Sequence, residues 1–126
     1  MNTTTNTIYK ILCLFLELLP GQVKQLTLVK ITSSSVTFSW NPPIIDRFEK
    51  PILYYHIKIQ KKISRFLVLN INHTNKINEK EVQGLSPYTE YELSIAAGNV
   101  YGIGEEKTLT FMSGEAGKII NFYTNN

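Results

Sequence analysis

Cysteine is nearly absent from this 126-residue chain, where Cys13 stands alone. A single cysteine cannot close an intramolecular disulfide, and a zinc site of the Cys-rich kind is excluded with it. The compartment stays open, because a domain of this size holds together without cross-links when its core is large enough. Histidine is scarce too, with only His56 and His73. No apolar run reaches the roughly 20 residues that cross a bilayer. The longest is the nine-residue Ile11–Leu19, with Glu17 inside it, so no stable membrane insertion is expected. There is also no block of like charge. Charged residues make up 18%, the net charge is +3, and the densest basic run is Lys58, Lys61, Lys62 and Arg65. Nucleic-acid readers carry a basic stripe together with a known motif, and with neither here no nucleic-acid partner is expected.

What is present is apolar. Hydrophobic residues reach 43%, enough for a packed core, and the length fits one domain with short tails. An Asn/Thr-rich start leads to Lys10 and then to Ile11–Leu19. A positive residue before a short apolar stretch is the layout of a signal peptide. Glu17, the lack of a small-x-small cleavage site, and Pro20-Gly21 leading straight into the domain argue against it. Residues 1–19 therefore read as a signal peptide or as an apolar N-terminal tail, 20–113 as the folded module, and 114–126 as a C-terminal tail or truncated linker.

From Pro20 the apolar residues recur with period two. Leu26, Leu28 and Ile31 mark a first strand, and Ser33-Ser34-Ser35 a turn. Val36, Phe38 and Trp40 alternate with Thr37 and Ser39, as in a half-buried antiparallel strand. Asn41-Pro42-Pro43 ends it, since proline donates nothing to a sheet ladder. After a loop through Asp46–Pro51, Tyr55, Ile57 and Ile59 face one way and His56, Lys58 and Gln60 the other. Phe66–Leu69 is a short apolar strand, and Asn70–Asn78 reads as a polar loop. Val82 and Leu85 mark a fifth strand. Tyr91, Leu93, Ile95 and Ala97 alternate with Glu90, Glu92, Ser94 and Ala96. A glycine-bearing loop, Asn99–Gly104, leads to the last strand with Leu109 and Phe111. About seven short strands with regular turn signals and no helical period between them predict an all-β sandwich or barrel.

Four motifs in order resemble the fibronectin type III family over Pro20–Ser113. They are Ser35-Val36-Thr37-Phe38-Ser39-Trp40-Asn41-Pro42-Pro43; the set Ile52, Tyr55, Ile57, Ile59; Gly84-Leu85-Ser86-Pro87-Tyr88-Thr89-Glu90-Tyr91; and Ala97-Gly98-Asn99-Val100-Tyr101-Gly102-Ile103-Gly104. The resemblance implies a seven-stranded immunoglobulin-like β-sandwich. It implies a structural core of Trp40, Tyr55, Ile57, Leu85, Pro87, Tyr91, Leu93 and Ile95. Trp40 would fill the centre between the sheets. Tyr91 would form a tyrosine corner, its hydroxyl bonded to an acceptor between Leu85 and Pro87. Gly102 and Gly104 would supply the positive φ of a tight hairpin.

Chemistry needs convergent titratable groups. His56 reads as outward-facing, His73 as a solvated loop residue, and Glu105-Glu106 as a solvated edge. Gly102-x-Gly104 lacks the strand-to-helix setting of a phosphate loop. No enzyme activity, metal or cofactor is expected. Asn72-His73-Thr74 is an N-glycosylation acceptor pattern, and Asn2-Thr3-Thr4 is a second one that a cleaved signal would remove. Tyr101 and Ile103, at a loop tip, are the candidate partner contacts. The integrin-binding Arg-Gly-Asp of one adhesive family member is absent from Asn99–Gly104. The paired cysteines and Trp-Ser-x-Trp-Ser box of the cytokine-receptor branch are absent too. What the resemblance implies is a protein-binding or spacer module of an adhesion or receptor ectodomain, with neighbouring modules in its parent protein. The alternatives are an intracellular structural module or an accessory module of an enzyme.

Overall fold

Period-two alternation gives each strand one apolar face, and two such faces must be pressed together to leave water. The computed structural model of the chain does this with two antiparallel sheets; it describes residues 3–45, 50–74 and 76–122. One sheet runs in the order β5 (Glu79–Gln83), β2 (Ser35–Asn41), β1 (Lys24–Thr32), β9 (Ile119–Asn121). The other runs β4 (Leu67–His73), β3 (Tyr54–Lys61), β6 (Glu90–Asn99), with β7 (Gly102–Ile103) and β8 (Lys107–Met112) in succession along the far side of β6. Counting β7 and β8 as one interrupted strand leaves β9 as the addition to the expected seven. The predicted loop segment Asp46–Glu49 lies outside the described residues, as does Asn2 of the first acceptor pattern.

The core forms where the two inner faces meet. Val36, Phe38 and Trp40 of β2 face Tyr55, Ile57 and Ile59 of β3 and Tyr91, Leu93 and Ile95 of β6, all buried. Val82, Leu85 and Phe111 close its margins. Trp40 sits edge-on to Tyr55 with ring centroids 5.4 Å apart, and Phe38 is tilted against it at 5.7 Å. Tyr91 stacks on Phe111 at 5.5 Å.

Tyr91 reaches the expected place with the opposite polarity. Its hydroxyl accepts from the Ser86 N–H at 2.8 Å rather than donating to a carbonyl. Pro87, grouped with the core in the sequence, is exposed and belongs to the turn, where its carbonyl accepts from Thr89 Oγ1 at 2.9 Å. Its fixed φ shapes the crossover, but its ring fills no space between the sheets. Ser94 and Ala96, read as outward-facing, are nonetheless buried. They are small and lie on a central strand opposite Lys58 and His56 of β3, so larger neighbours cover them.

Three segments differ from their sequence reading. Thr3–Glu17 is a helix, α1, whose residues Thr4–Leu12 are all exposed. Weak helix formers at its start, Thr and Asn, hid it. Asn70–His73 is not loop but the second half of β4, paired residue for residue with β3. Polar side chains fit there because this is an edge strand with one face in water. Beyond Ser113, part of the expected tail is strand: β9 pairs with the end of β1, Thr32 opposite Ile119 and Lys30 opposite Asn121.

Removing the Trp40 ring leaves a cavity that the two sheets cannot both collapse into. Trp40→Ala should lower unfolding free energy by about 3–5 kcal/mol in urea titration. Tyr91→Phe should cost only about 1 kcal/mol, because it removes one hydrogen bond and no packing.

Candidate interaction surfaces

The two histidines lie on opposite faces of one sheet. His56, on the outer face of β3, pairs across to Asn72 with Nδ1 2.9 Å from Oδ1. His73 was expected in solvent, yet it is buried on the inner face of β4. Its Nε2 bonds to the Ile77 carbonyl at 2.9 Å, and its ring meets Trp40 edge-on with centroids 5.4 Å apart. Once Asn70–His73 is a strand, alternation turns His73 inward, so the loop reading is what misplaced it. Among the described residues, no three His, Cys, Asp or Glu side chains are grouped to hold a metal ion.

Burial pushes the Tyr55 hydroxyl above the ordinary tyrosine range, and the nearby Trp40 indole offsets part of that rise. The two do not reach hydrogen-bond geometry, and Trp40 Nε1 is the buried side-chain donor left without a partner among the described residues. Tyr55 is thus held neutral and serves as packing.

Two of the four basic residues of β3 and its turn pair with carboxylates of β6. Lys62 pairs with Glu90 at 3.2 Å and Arg65 with Glu92 at 3.7 Å, while Lys61 lies over the Phe66 ring at 5.7 Å. Asn72 is exposed on edge strand β4. Its Oδ1 is engaged by His56, which leaves Nδ2, the atom a glycan would join, outside that pair. Tyr101 and Ile103 are 37% and 44% exposed on the β6–β7 hairpin. Glu105 and Glu106 are exposed, next to the start of β8.

Sequence reasoning missed a second exposed region. Tyr88, Met112 and Ile120 surround a shallow depression of about 370 Å³ where the C-terminal segment folds back. There the Tyr88 hydroxyl donates to the Glu115 carboxylate, and Lys118 pairs with the same carboxylate. Tyr88 holds a left-handed φ of 49° at this turn. Only Tyr88 was visible beforehand, inside a motif that assigned it no role.

Two antiparallel sheets closed over a central tryptophan, with a tyrosine corner at the crossover, define an immunoglobulin-like β-sandwich module. A fibronectin type III domain profile matches residues 21–112, so the chain belongs to the fibronectin type III family. Among solved structures it is similar to the FN5 domain of Drosophila Lar, at 26% identity and TM-score 0.59, covering 78% of this chain and 100% of that one. It is similar to rat CD45 extracellular domains d3–d4, at 20% identity and TM-score 0.62, over 75% of this chain and 50% of that one. A redesigned β-sandwich protein matches at 22% identity and TM-score 0.64, over 77% and 97% of the two chains. No helix among the described residues is long and apolar enough to cross a membrane.

The Glu115 latch gives β9 a pH window. Lys118, and then Tyr88, hold the Glu115 carboxyl below its ordinary range, while Glu115 holds the Tyr88 hydroxyl above its own. A depressed carboxyl stabilises the docked state above its unfolded pKa and loses that effect as pH falls. A raised phenol stabilises it below the unfolded tyrosine pKa and loses that effect as pH rises. Docking should therefore be tightest between the carboxylate and tyrosine ranges. The Phe122 N–H, which donates to the Val29 carbonyl at 2.8 Å, reports it. Its amide protection factor, with the intrinsic pH dependence of exchange divided out, should fall on acidification toward pH 3, and Glu115→Gln should flatten that response.

Proposed function

We propose that this chain is a non-catalytic protein-interaction or spacer module of a cell-surface adhesion or receptor ectodomain. Family membership supports the module role, since fibronectin type III domains commonly bind or space other proteins. The observation that carries the extracellular part is Asn72. It is an acceptor in Asn-x-Thr, exposed on an edge strand with its carboxamide oriented by His56. A similar fold stands in the extracellular region of rat CD45, which is a likeness of fold alone. Partner contact is assigned to Tyr101 and Ile103, whose apolar side chains project at the hairpin, where anchors of that kind are favoured at interfaces. Neighbouring modules in the parent protein would supply the array that spacing requires.

Expression in a secreting eukaryotic cell tests the reading. Tagged protein should reach the medium carrying sugar that a glycosidase removes, and Asn72→Gln should abolish that mass shift without unfolding the domain. Protein carried into the medium behind a supplied leader without sugar at Asn72 would overturn the ectodomain assignment, and protein that stays in the cytosol without sugar would overturn the signal-peptide reading of residues 1–19. The former result would favour the intracellular structural module, which the lone Cys13 also suits.

A further inference from the structure

The β6–β7 hairpin also holds the chain's own N-terminal segment. Asn99 is 4% exposed, and its carboxamide is used twice. Oδ1 accepts from the Tyr101 N–H at 2.8 Å, and Nδ2 donates to the Leu18 carbonyl at 2.8 Å. Gly104 does not have the positive φ expected of it; it is needed because a β-carbon there would overlap the Pro20 carbonyl. Gly102 does have positive φ, +142°, and a β-carbon on it would meet Leu19 Cδ2 at 3.3 Å. Pro20 is buried, and Gln22 Nε2 donates to the Glu106 carbonyl at 2.7 Å. Contacts from Leu18 to Pro20 thus fall on a hairpin about 80 residues further along, and Gln22 meets the chain just past it.

We propose that the β6–β7 hairpin is a clamp for Leu18–Pro20. These residues then belong to the folded unit, α1 leaves it from a fixed point, and an N-terminal cut that preserves the module falls before Leu18. A cut at Pro20–Gly21 would strip the acceptor from a buried Asn99 N–H, and a buried donor left unsatisfied is costly. It would also remove the backbone against which Gly104 is fitted. The hairpin then has two sides: Asn99, Gly102 and Gly104 face the strap, while Tyr101 and Ile103 remain outward.

The full chain made in a bacterial cytoplasm tests this independently of any secretion. Asn99→Asp keeps an acceptor for the Tyr101 N–H but sets an acceptor against the Leu18 carbonyl. Chymotrypsin cleavage after Leu18, at the Leu18–Leu19 bond, mapped by mass, should be slow in the unmodified chain. In Asn99→Asp it should be about tenfold faster, with Tm lower by about 4–8 °C. Gly104→Ala, which forces the strap away while leaving Asn99 intact, should open the same bond and decides the matter if Asn99→Asp fails to fold. Cleavage there in the unmodified chain at the rate of a denatured control would overturn the clamp. Variants cut as slowly as the parent, with unchanged Tm, would overturn it too.

Discussion

The contact on which this module depends is the burial of Trp40 between its sheets. Its ring meets Phe38 from its own strand and Tyr55 and His73 from the facing sheet. Sheets of a sandwich stand about 10 Å apart, and a tryptophan is the side chain large enough to touch both sides at once. The surroundings follow from that. Asn78 accepts from the Trp40 backbone at 3.1 Å, which draws the β4–β5 connection over the ring, and His73 is turned inward to close the margin. Among the described residues the indole N–H finds no partner inside the core, a small loss set against a large apolar area.

Most of the fold was legible because period-two alternation is a strong signal where a strand has one wet face. Tyr55, Ile57 and Ile59 in β3 and Val36, Phe38 and Trp40 in β2 show it cleanly, and their buried faces follow. It fades where polar residues occupy an edge. Asn70, Asn72 and His73 looked like loop because asparagine disfavours strands in general, yet an edge position with a cross-strand partner such as His56 accommodates it. Long-range pairing left no trace at all. The Ile119–Asn121 strand has exposed side chains, and nothing local marks it as the partner of β1.

The surface was less legible than the core, for a related reason. A motif shows that Gly104 or Tyr91 is required without showing what it meets. Gly104 read as a conformational glycine and is a steric one, because the segment it accommodates lies far away in sequence. Tyr91 read as a donor, and its hydroxyl accepts from the Ser86 N–H. Tyr88 and Glu115 form a latch whose members sit 27 residues apart. Spacing in sequence carries local geometry well and tertiary neighbours poorly.

The direction of β9 decides which edge of the first sheet is covered. Here β9 runs antiparallel to β1, beginning opposite Thr32 and proceeding toward Lys30. By Asn121 the backbone is heading back toward the pole where β1 begins. Within the described residues the C-terminal segment therefore runs back along the sandwich and gives the outer edge of β1 a partner over Lys30–Thr32, where an exposed ladder would otherwise stand.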